Sequence, residues 1–208
     1  MATRRKEQAA QTEAALKEAA RRVFDRQGYL ATKITDITAE AGRAAGSFYS
    51  HFKSKDELLE ALLLDWLAQP QQEQPEPGPA DLSQRTVLRE RVVAAYWRVY
   101  TAHRPEIRAL HQAAMVNADF AQRLMQIRHA QLGLMRANLQ QIADAGHTLP
   151  GDPAVVASAV NAMLEQFCHI WIIQGGEPIG RELEADEAID TLTDLILRGI
   201  TEPKQPES

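Results

Sequence analysis

The chain has 208 residues, 45% hydrophobic and 25% charged, enough to bury a core as one large domain or two small ones and too apolar for a disordered polymer. Its net charge of −5 argues, taken alone, against a nucleic-acid partner. A lone cysteine, Cys168, excludes an internal disulfide and fits a reducing cytoplasm, and without an uninterrupted apolar run of bilayer length no membrane span is expected.

The charge is unevenly spread. Residues 1–58 carry 11 Lys+Arg and 8 Asp+Glu, a balance of +3, which leaves −8 for the rest. A basic head on an acidic body points to a polyanion meeting the head alone. The start, MATRRKEQAA, has basic residues with no apolar stretch behind them and does not read as a secretory signal.

Apolar residues recur at helical spacing almost throughout, and no alternating run reads as a strand. Ala15, Leu16, Ala19, Ala20, Val23 and Phe24 mark a helix over 9–27, closed by Gly28. A short helix follows at 34–41, ended by Gly42, and another at about 44–51. Ser54 with Glu57 reads as a capping box that opens a fourth helix, 54–68. PQQEQPEPGP, 70–79, has four prolines and no hydrophobic period, so it reads as a loop. Helices are expected beyond it near 82–101, 105–115, 118–145, 153–174 and 186–200, with a disordered tail over 201–208. The fold class is therefore all-α. A three-helix head over 1–53 joins, through helix 54–68, a helical bundle over 54–200.

Two short helices around Gly42-Arg43 describe a helix-turn-helix, whose second helix enters the major groove. The groove, about 12 Å wide, admits a helix whose facing side chains are small, as Ala44, Ala45, Gly46 and Ser47 are. Phe48 and Phe52, four apart, should pack inward, while Tyr49 keeps its hydroxyl free for a phosphate. His51, Lys53 and Lys55 follow where the sugar-phosphate backbone would pass. Arg4, Arg5 and Lys6 could enter a minor groove or form a solubilising end.

The stretch ITDITAEAGRAAGSFYSHFKSKDELL closely resembles the DNA-binding signature of TetR/AcrR-family transcriptional regulators, and the likeness covers residues 10–63. The resemblance implies that Thr35, Tyr49, His51 and Lys55 contact phosphates and that residues 43–47 read bases of a double-stranded operator. It also implies that the last two long helices form a homodimer. Three positions depart from the family pattern: Arg43 is usually apolar, Ala44 is usually a capping Ser or Thr, and Ala45 is often basic. Arg43 is then the candidate to take over a base or phosphate contact.

For the body, the resemblance implies a mostly apolar cavity for a small inducer. Trp66, Trp97, Tyr100, Met115, Phe120, Ile127 and Met163 fit its lining, with His111, Gln131, Asn161 and Glu165 as polar anchors. The competing reading for each is ordinary core, which most large apolar residues of these helices form. Glu165 lies in a helix apolar nearly all round, where a carboxylate is costly unless paired. It could bind ligand, pair with His169 or face a dimer seam. A single Glu165/His169 pair is too little for a metal site, and no metal or cofactor is expected. Cys168 reads as an inert buried thiol. No paired carboxylates, nucleophile elbow, phosphate loop or Cys/His cluster supports an enzyme. The expected protein is a repressor released from a pseudo-palindromic site by an apolar or amphipathic ligand; the alternative is a DNA-binding dimer whose body only dimerises or recruits a protein.

Overall fold

A computed structural model describes residues 2–68, 81–144 and 146–200, and among them the only regular structure is helical. The helices are α1 Ala2–Gln27, α2 Ile34–Glu40, α3 Ala45–Tyr49, α4 Lys55–Ala68, α5 Arg85–Leu88, α6 Ala94–Ala102, α7 Arg104–Ala114, α8 Ala118–Asp144, α9 Pro153–Cys168 and α10 Ala185–Ile200. The expected proline loop and the tail over 201–208 lie outside the described residues.

Helix ends follow local chemistry. Gly28, at φ +80°, closes α1 and donates its N–H to the Phe24 carbonyl at 2.9 Å. Gly42, at φ +62°, closes α2: its N–H reaches Ala39 O and the next N–H, of Arg43, reaches Thr38 O at 2.9 Å. That pair of bonds, with a left-handed residue between, is a Schellman stop, which glycine makes at no Cβ cost. Ser54 accepts the Glu57 N–H at 3.1 Å, and the Glu57 carboxylate reaches back to the Lys53 N–H at 2.5 Å, one residue earlier than a standard box. Pro105 sits in the first turn of α7, where its missing N–H costs nothing. Asp152 caps α9 through the Ala154 N–H at 2.8 Å.

Two of the expected long helices carry a wider π turn. One, Arg89–Val93, joins α5 to α6; the other, His169–Ile173, follows α9. The segment Pro153–Ile173 is long and apolar enough to cross a bilayer by length and composition alone, although Asn161, Glu165 and Gln166 interrupt its apolar run. Its Val156, Ala157, Val160 and Leu164 lie in a buried core, which accounts for that hydropathy.

The chain divides into two compact units: Met1–Pro70 with His103–Leu124, and Gln71–Ala102 with Met125–Ser208. The sequence reading places its division at 53/54; compactness draws α4, α7 and the start of α8 into one unit with the head. In that unit α7 packs on α1 and α4, and α2 on α1 and α3. Leu16, Val23, Phe24, Ile37, Phe48, Leu58, Leu62 and Leu110 are buried there. In the second unit α6, α9, α10 and the two π turns enclose Leu88, Val93, Leu139, Val160, Leu164, Leu192 and Ile196.

Candidate nucleic-acid interface

The surface in question runs from Arg43 to Lys55. Arg43 to Gly46 are all exposed, and Tyr49 is 62% exposed, while Phe48 and Phe52 are buried as their spacing requires. The two rings lie 5.7 Å apart between centroids and supply the apolar base on which α3 rests. Tyr49 packs edge-on against Phe48, with ring centroids 5.6 Å apart, on the outer side of that base. Thr35, near the start of α2, is exposed, His51 is half-buried and Lys53 is exposed.

Ala44 sits at the N-cap of α3 with φ −68° and ψ 147° and has no side chain to cap it. The Ser47 hydroxyl donates back to the Ala44 carbonyl at 2.7 Å, and Ser50 reaches Gly46 O at 3.4 Å. Arg43 has its backbone N–H held by α2, yet among the described residues its guanidinium has no hydrogen-bond or acidic partner.

Lys55 is placed differently from its neighbours. Its ammonium donates to the carbonyls of Tyr29 at 2.6 Å and Thr32 at 2.8 Å, and lies 4.2 Å from the centre of the Tyr29 ring. Burial lowers its pKa, partly offset by Asp56. Lys55 therefore ties α4 to the corner that leads into α2. Tyr29 is gripped from other sides as well. Its N–H donates to Gln112 Oε1 at 2.6 Å, its hydroxyl donates to Asp56, and Phe120 meets its ring edge-on at 6.4 Å. Asn117 holds the second oxygen of Asp56 at 3.0 Å. Burial, then the Asp56 carboxylate, pushes the Tyr29 phenol well above its usual range. Gln112 was absent from the candidates; no sequence signal marks it, since its partner lies 83 residues away.

The candidate ligand residues fall into both units. In the first, Trp66 stacks on His103 with centroids 5.0 Å apart, His111 is half-buried, Phe120 is core, and Met115 is 76% exposed. In the second, Trp97 stands 6.5 Å from Phe167, Tyr100 is buried, Ile127 is half-buried, and Gln131 is exposed, as is Met163 in part. Two of the polar candidates in that unit, Glu165 and Asn161, have partners. Arg128 donates to Glu165 at 2.5 Å, a fourth answer to the question of what Glu165 does. Asn161 accepts the Tyr96 hydroxyl at 2.5 Å and donates to Ala157 O at 3.1 Å. Tyr96, missed from sequence, sits one turn before Tyr100 on the same helix, and that spacing could have found it. Burial, then nearby Glu165, raises both phenols above their usual range. Burial pushes the Cys168 thiol up to about 12, so at neutral pH it is un-ionised.

Comparison with known proteins agrees with this geometry. Residues 16–62 match the family described as "Bacterial regulatory proteins, tetR family". The chain is 44% identical over 63 residues to the HTH-type transcriptional regulator TtgR of Pseudomonas putida, a match spanning 30% of each protein. It is 46% identical over 55 residues to the HTH-type transcriptional repressor KstR2 of Mycobacterium tuberculosis, over 25% of this chain and 28% of that one. The chain thus matches less than a third of the length of these curated relatives. Over nearly the whole length it is similar to the TetR-family regulator PfmR of Thermus thermophilus, with 27% identity, a TM-score of 0.66, and coverage of 90% of this chain and 99% of that one. The matched segment holds α2, α3 and their turn and is a TetR-family DNA-binding segment, and the whole-length likeness to a TetR-family regulator takes in the helical body.

Proposed function

We propose that the chain is a DNA-binding transcriptional regulator, a homodimeric repressor released from a pseudo-palindromic operator by a small, mostly apolar ligand. The observation that carries the DNA reading is the slim exposed surface from Arg43 to Lys53, backed by the buried Phe48–Phe52 pair. Residues 43–47 face base edges. Tyr49, His51 and Thr35 face phosphates, and Lys55, which gives two of its three N–H donors to the Tyr29 and Thr32 carbonyls, has one left for that role.

Support for a homodimer comes from α9 and α10. Ala154, Val155, Ser158, Ala159, Ala162, Met163 and Gln166 form one exposed face of α9, and Leu195 is 58% exposed on α10. Paired with the same helices of a second copy, they make a four-helix seam. Two-fold symmetry then sets two α3 helices about 34–36 Å apart, one turn of DNA. A ligand that alters that separation releases the operator, since affinity needs both heads in register.

The mutual pairing of Arg128 with Glu165 and Tyr96 with Asn161 favours a second reading, in which the body only dimerises or recruits a protein. Three measurements test these statements. Duplexes taken from beside the coding region should bind in a salt-sensitive, sequence-selective way, and no such binding sinks the DNA reading. Light scattering should return twice the chain mass. Screening apolar compounds should raise the melting temperature by mass action, and a flat screen leaves the ligand-free reading standing.

A further inference from the structure

The surface from Arg43 to Ser47 is poor in hydrogen-bonding groups, and that poverty is itself informative. Ala44, Ala45 and Gly46 are exposed and offer no polar side-chain atom. The Ser47 hydroxyl is half-buried and commits its proton to Ala44 O at 2.7 Å. Arg43 is exposed, its backbone is fixed by the bond to Thr38 O at 2.9 Å, and its guanidinium is unpartnered among the described residues. The surface therefore presents methyl groups and one forked donor.

Base edges in the major groove sort against such a surface. Guanine offers two acceptors, N7 and O6, to a guanidinium fork, and thymine offers a 5-methyl group to another methyl. Adenine and cytosine present amino donors, which an alanine methyl would desolvate without replacing their hydrogen bonds. Discrimination then comes as much from rejecting amino groups as from attracting methyls. Resting on the DNA reading above, we propose that this surface selects operator half-sites in which a guanine faces Arg43 and thymine 5-methyl groups face Ala44 and Ala45.

The test uses the full chain and duplexes selected by it from a random pool. In the selected half-site each thymine is replaced singly by deoxyuridine, which removes only the methyl. Each guanine is replaced by 7-deazaguanine, which removes only the N7 acceptor. At least one deoxyuridine per half-site should weaken binding about 3- to 5-fold, the worth of one buried methyl-sized group. One 7-deazaguanine should weaken it on the order of 10-fold. In Arg43→Ala the 7-deazaguanine penalty should vanish while the deoxyuridine penalty stays. Arg43 is exposed, so this variant keeps the fold. A selective site indifferent to every deoxyuridine, or a 7-deazaguanine penalty unchanged in Arg43→Ala, overturns the proposal while the DNA reading survives. Failure to select any sequence removes the DNA reading itself, and this inference with it.

Discussion

The basic residues of the helix-turn-helix and those of the α5–α10 face live under opposite conditions. On α5 and its π turn, Arg85 meets Asp194 at 2.7 Å and Asp190 at 3.1 Å, and Arg89 meets Asp186 at 2.7 Å and Asp190 at 2.9 Å. Asp186, Asp190 and Asp194 recur every fourth residue, so one face of α10 answers the two arginines like rungs. In the head, α1 resembles that face: Arg22 and Arg26 share Glu40, and Arg21 meets the buried Glu106 at 2.6 Å. Beyond α2 the pattern stops, and the Arg43 guanidinium and the Lys53 ammonium stand exposed with no acidic partner among the described residues. The head's surplus of +3 is therefore local, and it is the unpaired cations that can displace counterions from DNA.

The comparison breaks most decisively at the base of α3. Phe48→Ala should cost about 3–5 kcal/mol by opening a cavity under the reading helix, and should abolish DNA binding along with it. Urea denaturation measures the first and anisotropy the second; retention of full stability would mean that α3 does not rest on Phe48.

Gly28→Ala should cost about 1–2 kcal/mol, because the position has φ +80°. A Cβ there would also lie 2.7 Å from Gln112 Oε1. Adding Gln112→Ala should recover only the clash and not the backbone strain, so recovery to the stability of Gln112→Ala alone would show that the backbone is unstrained.

Charge removal sharpens the contrast directly. Lys53→Ala should lower the slope of log affinity against log salt by about 1 and leave stability unchanged. Arg89→Ala should leave that slope alone and change stability little, since its ion pairs are open to solvent and screened by it. Equal slopes for the two variants would erase the distinction between paired and unpaired cations. The smallest effect is a gain: Ala44→Ser supplies the cap that α3 lacks and should add about 0.5–1 kcal/mol in thermal unfolding.

Much of this was legible in the sequence because it is local. The helix periods, the stops at Gly28 and Gly42, the Ser54–Glu57 cap and the inward Phe48 and Phe52 each depend on residues within a turn or two. The family match rests on the same short run. The expected pocket was a different matter, since its residues were chosen by type and approximate helix face. Trp66, His111, Met115 and Phe120 fall in the first unit, and Trp97, Tyr100, Ile127, Gln131, Asn161 and Glu165 in the second.

The sequence by itself determined an all-α chain whose basic, glycine-punctuated N-terminal run forms a helix-turn-helix, since backbone sterics and amphipathic spacing act over a few residues. Only the tertiary structure decided the pairings. Arg128 neutralises Glu165, Tyr96 satisfies Asn161, and Lys55 turns to the Tyr29 and Thr32 carbonyls. Each joins groups at least 23 residues apart in the chain, and the penalty for leaving a polar group unpaired is the same whichever partner removes it. Chain order therefore says that a partner must exist, and packing says which one.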